Sequence, residues 1–168
     1  MHITILAAMS ADGRIATSRD ELVDWTSPED KQFFVLKTKE AGVVVMGRRT
    51  FETLGEPLSE RLNVVMSHQQ ALFPDVPGVV ECTSESPHGV VHSLESRGYM
   101  KAVVIGGHEI YSAFLSADLV TDMYLTIEPR IFGDGVPFVE GIAAKKLQLM
   151  SAEKLGGQSV LLHYVALS

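Results

Sequence analysis

The sequence predicts an α/β fold: a mostly parallel central sheet of about eight strands, helices on both faces and a C-terminal antiparallel hairpin. Three observations predict it. Runs rich in Val, Ile, Leu and Met alternate with stretches of helical character, the order that gives parallel pairs joined by right-handed crossovers. Several runs are apolar at consecutive positions, as in Val43-Val44-Val45-Met46, which suits strands covered on both faces. Two strands run through glycine straight into a helix, at Val43–Phe51 and again at Val103–Tyr111.

Taken in order, strands are predicted at 3–9, 43–47, 62–67, 101–105, 119–127 and 158–167, with weaker ones at 78–82 and 145–153. Gly156-Gly157 separates the last pair and makes it a hairpin. Helices are predicted at 28–41, 50–54, 89–97 and 107–116. The first has a strong start in Ser27-Pro28-Glu29-Asp30: a serine cap, proline at the first position and acids in the first turn. Residues 10–26 are too long for a plain strand-to-helix connection. They hold Asp12-Gly13-Arg14, the polar run Thr17-Ser18-Arg19-Asp20 and the only tryptophan, Trp25. Such a loop is a candidate lid; the alternative is a surface excursion packed by Ile15 and Trp25. No repeat or linker interrupts the chain, so residues 1–168 read as one domain.

At 168 residues the chain is long enough to bury a sizeable core, and its 46% hydrophobic, 21% charged composition is ordinary for a globular protein. A net charge of -7 argues against nucleic acid as a partner. Cys82 is the only cysteine, which excludes an internal disulfide and a cysteine-based metal site. The N-terminus reads as a first strand and not as a secretion signal, and no apolar run is long enough to span a bilayer. A cytoplasmic protein, monomer or homodimer, is the expectation. The histidines lack metal-ligand spacing, and no Ser/His/Asp arrangement stands out.

The two glycine turns carry the chemistry. Gly47 allows close backbone approach, and the helix start at Arg48-Arg49-Thr50 adds free N–H groups and forked cationic donors suited to phosphate. Gly106-Gly107, followed by His108, Glu109 and Ile110, repeats the pattern. Two such turns suggest a dinucleotide. Ser67 and His68 end the strand between them and are candidates for a 2′-phosphate pocket, although His68 also reads as a solvated loop residue. Plain surface charge at Arg48 and Arg49, and tight packing at Gly106-Gly107, are the alternatives.

Asp30 has two readings. It lies three residues past Ser27, where an acid completes a capping box. Helical spacing also sets it on one face with Phe34. A carboxylate beside aromatic surface tends toward a raised pKa and can hold an amidine-like ring edge in two hydrogen bonds.

In order and spacing, these pieces resemble the dihydrofolate reductase superfamily over nearly the whole chain. Ile5-Leu6-Ala7-Ala8-Met9-Ser10-Ala11-Asp12-Gly13-Arg14-Ile15-Ala16 looks like the family's first strand and turn. Trp25, Asp30 and Phe34 match the spacing of its lid tryptophan, pterin-binding acid and helix phenylalanine. Met46-Gly47-Arg48-Arg49-Thr50-Phe51-Glu52 is similar to its cofactor signature, and Val104-Ile105-Gly106-Gly107 with Tyr111 to its second cofactor turn. Pro57–Ser67 resembles the segment holding the folate-tail arginine, here Arg61; Tyr124-Leu125-Thr126 supplies the threonine paired with the acid; Gly133-Asp134 matches a loop dipeptide.

The resemblance implies the dihydrofolate reductase-like three-layer fold and an NADPH-dependent reductase acting on a pterin. It implies Asp30, Trp25 and Thr126 as catalytic residues. Leu6, Ala8, Lys31, Phe34, Leu54, Leu58, Arg61, Ile105 and Tyr111 would meet substrate. Ala8, Ile15, Gly47, Arg48, Arg49, Thr50, Ser67, His68, Gly106, Gly107, His108, Glu109 and Ile110 would meet NADPH. The chain departs from the pattern at Asp24, where proline is usual, at Lys31, where an apolar wall residue is usual, and at His108-Glu109, where a further glycine is common. Ile127–Gly135 also looks like the reductases of riboflavin biosynthesis. Two alternatives therefore stand: a stand-alone reductase of a ribosylaminopyrimidine phosphate, and a non-catalytic nucleotide- or pterin-binding module.

Overall fold

Side chains alternate across a strand, so a strand covered on both faces is apolar at consecutive positions. Strands β1 (His2–Ser10), β3 (Val43–Gly47), β4 (Leu62–Met66) and β6 (Lys101–Gly106) do this. The computed structural model describes residues 1–19, 24–69 and 76–167. On one face of the sheet, Ile3, Ile5, Val43, Val45 and Val104 form a core with Val90 and Leu94 of α3 (Pro87–Ser96) and Phe114 of α4 (His108–Ser116). On the other, Leu6, Val44, Met46 and Ile105 pack against Phe33 and Phe34 of α1 (Pro28–Ala41) and Phe51 and Leu54 of α2 (Arg48–Leu54).

The remaining strands of the main sheet are β5 (Val80–Thr83), β7 (Asp122–Glu128), β9 (Leu147–Leu155) and β10 (Ser159–Ala166). Eight strands lie in the order β5-β4-β3-β6-β1-β7-β10-β9. Pairing is parallel from β5 across to β7. The hairpin of β9 and β10 closes the sheet antiparallel. The chain leaves β1 through α1, builds outward from β3 to β5, and returns through α3 to place β6 between β3 and β1. It then crosses by α4 to β7 on the far side of β1. The direction of winding reverses beside β6, and open α/β sheets bind ligands at the carboxyl ends of strands at such a reversal.

The observed elements differ from the predicted ones in instructive places. Helix α2 begins at Arg48, two residues earlier than predicted, which puts both arginines in its first turn. Helix α3 begins at Pro87, because Ser86 caps it by accepting from the Gly89 N–H, the same Ser-Pro start that opens α1. The strand predicted from 119 begins at Asp122, since Leu119 still bonds back to Phe114 and Thr121 to Ile3. Within the predicted 10–26 loop, β2 (Arg14–Ala16) pairs with β8 (Val136–Pro137) as a separate two-stranded sheet. Three residues carry too little periodicity to be read as a strand. Asp20 and the rest of 20–23, in the middle of the predicted lid, lie outside the described residues.

Asn63, in β4, is fully buried and sets the turn that leads into its strand. Its Oδ1 accepts from the Leu58 N–H at 3.0 Å, and its Nδ2 donates to the carbonyls of Leu58, Arg61 and Val79. Truncation takes the side-chain partner from the Leu58 N–H and from the Leu58 and Arg61 carbonyls; Val79 keeps only the bond from the Asn63 backbone N–H. Asn63→Ala should therefore lose about 2–4 kcal/mol of stability, measured by urea unfolding; a loss below about 1 kcal/mol would contradict this role.

Candidate active site

A cleft of about 1030 Å³ lies at the carboxyl ends of β1, β3 and β6, between the first turns of α1, α2 and α4. At one end it is walled by Leu6, Ala8, Asp30, Lys31, Phe34, Leu54, Ile105 and Tyr111. The other end brings Gly47, Arg48, Arg49, Thr50, Ser67 and His68 together with Gly106–Ile110, while Ile15 reaches in from β2. Trp25, Leu58, Arg61 and Thr126 do not line it.

Asp30 is 8% exposed in the first turn of α1. Only half of the capping box forms. Ser27 Oγ accepts from the Asp30 N–H at 3.3 Å, but the Ser27 N–H goes to Glu128 Oε1 at 2.8 Å. The Asp30 carboxyl is thus left for the cleft. Burial raises its pKa; the Thr126 and Thr26 hydroxyls oppose that, the Glu128 charge adds to it, and Lys31 opposes it weakly. Thr126 is fully buried on β7, and its hydroxyl makes no hydrogen bond of good geometry despite its pull on Asp30. The Trp25 indole N–H is likewise buried without a partner. Unpaired buried polar atoms are costly, and polar sites that act on ligands are where they are tolerated.

Trp25 is half-buried and packs edge-on against Phe132, ring centroids 5.0 Å apart. Tyr111 forms the buried floor: its hydroxyl donates to the Leu6 carbonyl at 2.8 Å, and burial raises its pKa. Arg61 is 7% exposed beneath α1. Its Nε donates to the Ser59 carbonyl at 2.8 Å and its Nη1 to Thr38 Oγ1 at 2.5 Å, while Thr38 Oγ1 donates to the Phe34 carbonyl. Burial lowers the Arg61 pKa. Thr38 and Asn63 are structural parts of this wall for which the sequence gives no signal beyond an isolated polar residue in an apolar stretch. Leu58 is half-buried behind the wall, packed against the apolar cluster of Leu6 and Val44.

At the glycine end, Arg48 pairs with Glu52 at 3.0 Å along α2, and Arg49 is exposed. Gly107 caps α4 and accepts from the Ile110 and Tyr111 N–H groups; the first N–H groups of a helix have no intrahelical partner. Glu109 faces Arg19 across the cleft at 3.7 Å. The glycines differ in why they are needed. A Cβ on Gly47 would come within 3.1 Å of Ile110 Cγ1, so packing requires that glycine. Gly106 has φ +125°, which requires glycine for conformation. A Cβ on Gly107 would meet only Thr50 Oγ1, at 3.5 Å, and its φ is an ordinary -77°. At Gly107, unlike at Gly47 and Gly106, neither φ nor a close packing contact among the described residues excludes a side chain.

A family model described as dihydrofolate reductase matches residues 2–157. The chain belongs to the dihydrofolate reductase family. It is 31% identical over 166 residues to dihydrofolate reductase type A13 of Escherichia coli, covering 98% of this chain and 93% of the relative. The solved structure of the Thermotoga maritima diaminohydroxyphosphoribosylaminopyrimidine deaminase/5-amino-6-(5-phosphoribosylamino)uracil reductase superposes with a TM-score of 0.85 at 17% identity. That match covers 99% of this chain and 56% of that one. Enterococcus faecalis dihydrofolate reductase, complexed with NADP(H) and RAB-propyl, gives 0.72 at 20% identity, covering 99% and 97%. Backbone likeness at such identities shows a common fold; sequence likeness places the chain with the dihydrofolate reductases, which are oxidoreductases. Among the described residues no helix is long and apolar enough to cross a membrane, and no three acidic, His or Cys side chains gather as a metal site.

In this dihydrofolate reductase-family site the Asp30 pKa has a consequence for stability. A carboxyl whose folded pKa is raised contributes most below its unfolded pKa, and that contribution is lost as pH rises through the folded value. Asp30→Asn removes the cost of burying the charge. The variant should unfold at a higher urea concentration than wild type at pH 7, with the gap closing as pH falls below the ordinary carboxylate range. A variant less stable than wild type at pH 7 would show that the Asp30 charge stabilises the fold.

Proposed function

We propose that the protein reduces 7,8-dihydrofolate to tetrahydrofolate with NADPH. The observation that carries this reading is the buried Asp30 carboxyl, released from helix capping and facing an apolar-walled cleft. Its two oxygens suit the paired N–H donors of a 2-amino-4-oxopyrimidine edge. An ionised Asp30 there favours protonation of the ring, and Thr126 beside it orients the carboxyl. Phe34, Leu54, Leu6 and Ile105 supply the flat apolar walls a pterin and its aromatic tail require. Lys31 stands at the rim; Arg61 lies outside the cleft lining and would reach the tail carboxylate with the part of its guanidinium not engaged by Ser59 and Thr38. Trp25, packed against Phe132 just before α1, would help to shield the ring from water.

NADPH, when bound, supplies the hydride. Gly106 and Gly107 fit its pyrophosphate, and Arg48, Arg49, Ser67 and His68 fit its 2′-phosphate. Arg48 would exchange Glu52 for phosphate, a swap from a half-exposed pair to a charge-assisted one. Arg48→Ala and Arg49→Ala are expected to weaken NADPH about tenfold to a hundredfold, from roughly 1.5–3 kcal/mol per charged hydrogen bond, and to leave NADH affinity nearly unchanged. Equal affinity of wild type for NADH and NADPH would contradict the 2′-phosphate assignment.

One observation favours a second reading, reduction of a ribosylaminopyrimidine phosphate: an exposed lysine, Lys31, lines the cleft next to Asp30. Lys31 bonds Asp24 at 3.1 Å and would exchange that exposed pair for a substrate phosphate. Lys31→Leu separates the two. On the folate reading the Michaelis constant for dihydrofolate holds or falls, because apolar area is added to the wall. On the pyrimidine reading, turnover of the phosphorylated pyrimidine falls about tenfold and wild type ignores dihydrofolate. A protein that binds NADPH and turns over neither is the non-catalytic module.

A further inference from the structure

We propose that Glu128 is a positioning residue for Asp30: it ties down the helix start that carries Asp30 and holds a second negative charge beside it. This rests on the reading of Asp30 as the substrate-binding acid. Glu128 is 3% exposed at the end of β7. Its Oε1 accepts from the Ser27 N–H at 2.8 Å, and its Oε2 accepts from Ser159 Oγ at 2.5 Å. Ser27 in turn accepts from the Asp30 N–H. Strand alternation puts Glu128 on the same face of β7 as Thr126, whose hydroxyl acts on Asp30.

The charge is what calls for an explanation. A neutral glutamine would satisfy both partners, its oxygen accepting from Ser27 and its amide donating to the Ser159 hydroxyl. Burying a carboxylate costs more than burying an amide, and no ion pair to Glu128 is found among the described residues. The negative charge is therefore not needed for the hydrogen bonds and is not repaid by a cation. What it does is act on Asp30, whose pKa it raises. Its negative charge also favours positive charge on a ring held by Asp30, which makes protonation of that ring easier.

The other titratable groups around the pair do not supply this. Lys31 acts on Asp30 in the opposite sense and is held by Asp24. Tyr111, facing Asp30 from α4, donates a hydrogen bond to the Leu6 carbonyl and stays neutral. Glu29, on α1, lies against Gly156 in the β9–β10 turn. Asp12, beyond β1, is bound by the Ser10 hydroxyl and the Phe132 and Gly133 N–H groups.

The test is a carboxyl-carbon NMR titration of the free protein, with the Asp30 signal assigned by its loss in Asp30→Asn. In Glu128→Gln the Asp30 midpoint should fall by about one pH unit, the scale of a neighbouring like charge. Ser159→Ala, which removes a hydrogen bond but keeps the charge, should leave the midpoint nearly in place. If Glu128→Gln does not fold, Glu128→Leu fills the buried site with apolar volume and should give the same shift. An unmoved midpoint in the neutral variants, with or without a loss of stability, overturns the proposal. So does an equal fall in Ser159→Ala. The pH profile of dihydrofolate reduction should move acidward with the midpoint. A protein that shows the shift but reduces no dihydrofolate keeps the Glu128–Asp30 coupling and loses the proposed reaction.

Discussion

Asp30 faces the cleft because the backbone N–H of its helix's cap residue, Ser27, is satisfied from elsewhere. An acid three residues past a serine cap ordinarily reaches back to the cap's N–H and is spent there. Here that N–H is taken by Glu128, reaching across from β7. The α1 start is thereby fixed to the sheet, and the Asp30 carboxyl is left in a nearly closed apolar site where its ionised form is expensive. The rest of the site is arranged around that constraint. Thr126 and Thr26 moderate the cost with hydroxyls, Tyr111 seals the floor through Leu6, and Phe34 one turn along α1 supplies the flat wall.

The sheet topology explains why the two halves of the cleft meet. Insertion of β6 between β3 and β1 sets the glycine end of one crossover beside the glycine end of another. Met46 pairs with Gly106, so Gly47 follows directly beside the glycine end of β6. The same reversal leaves β1 and α1 on the other side, so an anion-accepting end and an acid-bearing end share one groove. The fold sets these two ends side by side without a domain interface.

Much of this was legible in the sequence, for physical reasons that can be named. Continuous apolar runs such as Val43–Met46 mark strands buried on both faces, and Ser27-Pro28 marks a helix start. The glycine turns are readable because few residues other than glycine satisfy a conformation such as that of Gly106. Contacts distant in sequence were not legible. Whether Asp30 caps its own helix depends on Glu128, nearly a hundred residues away, which looks like an ordinary strand-end charge. The engagement of Arg61 by Thr38, and of the Leu58 turn by Asn63, likewise depends on side chains meeting across elements. The β2–β8 pair escaped notice because its strands are too short to show a period.

The reaction proposed for this cleft is reduction of the pterin ring of dihydrofolate at the expense of NADPH. The most direct measurement follows NADPH absorbance in the purified protein with dihydrofolate, and separately with the phosphorylated ribosylaminopyrimidine, in wild type and Asp30→Asn. Wild type should consume NADPH rapidly with dihydrofolate and little or none with the pyrimidine, and Asp30→Asn should lose nearly all turnover with NADPH binding intact. Turnover of the pyrimidine alone, or undiminished dihydrofolate reduction in Asp30→Asn, would contradict it.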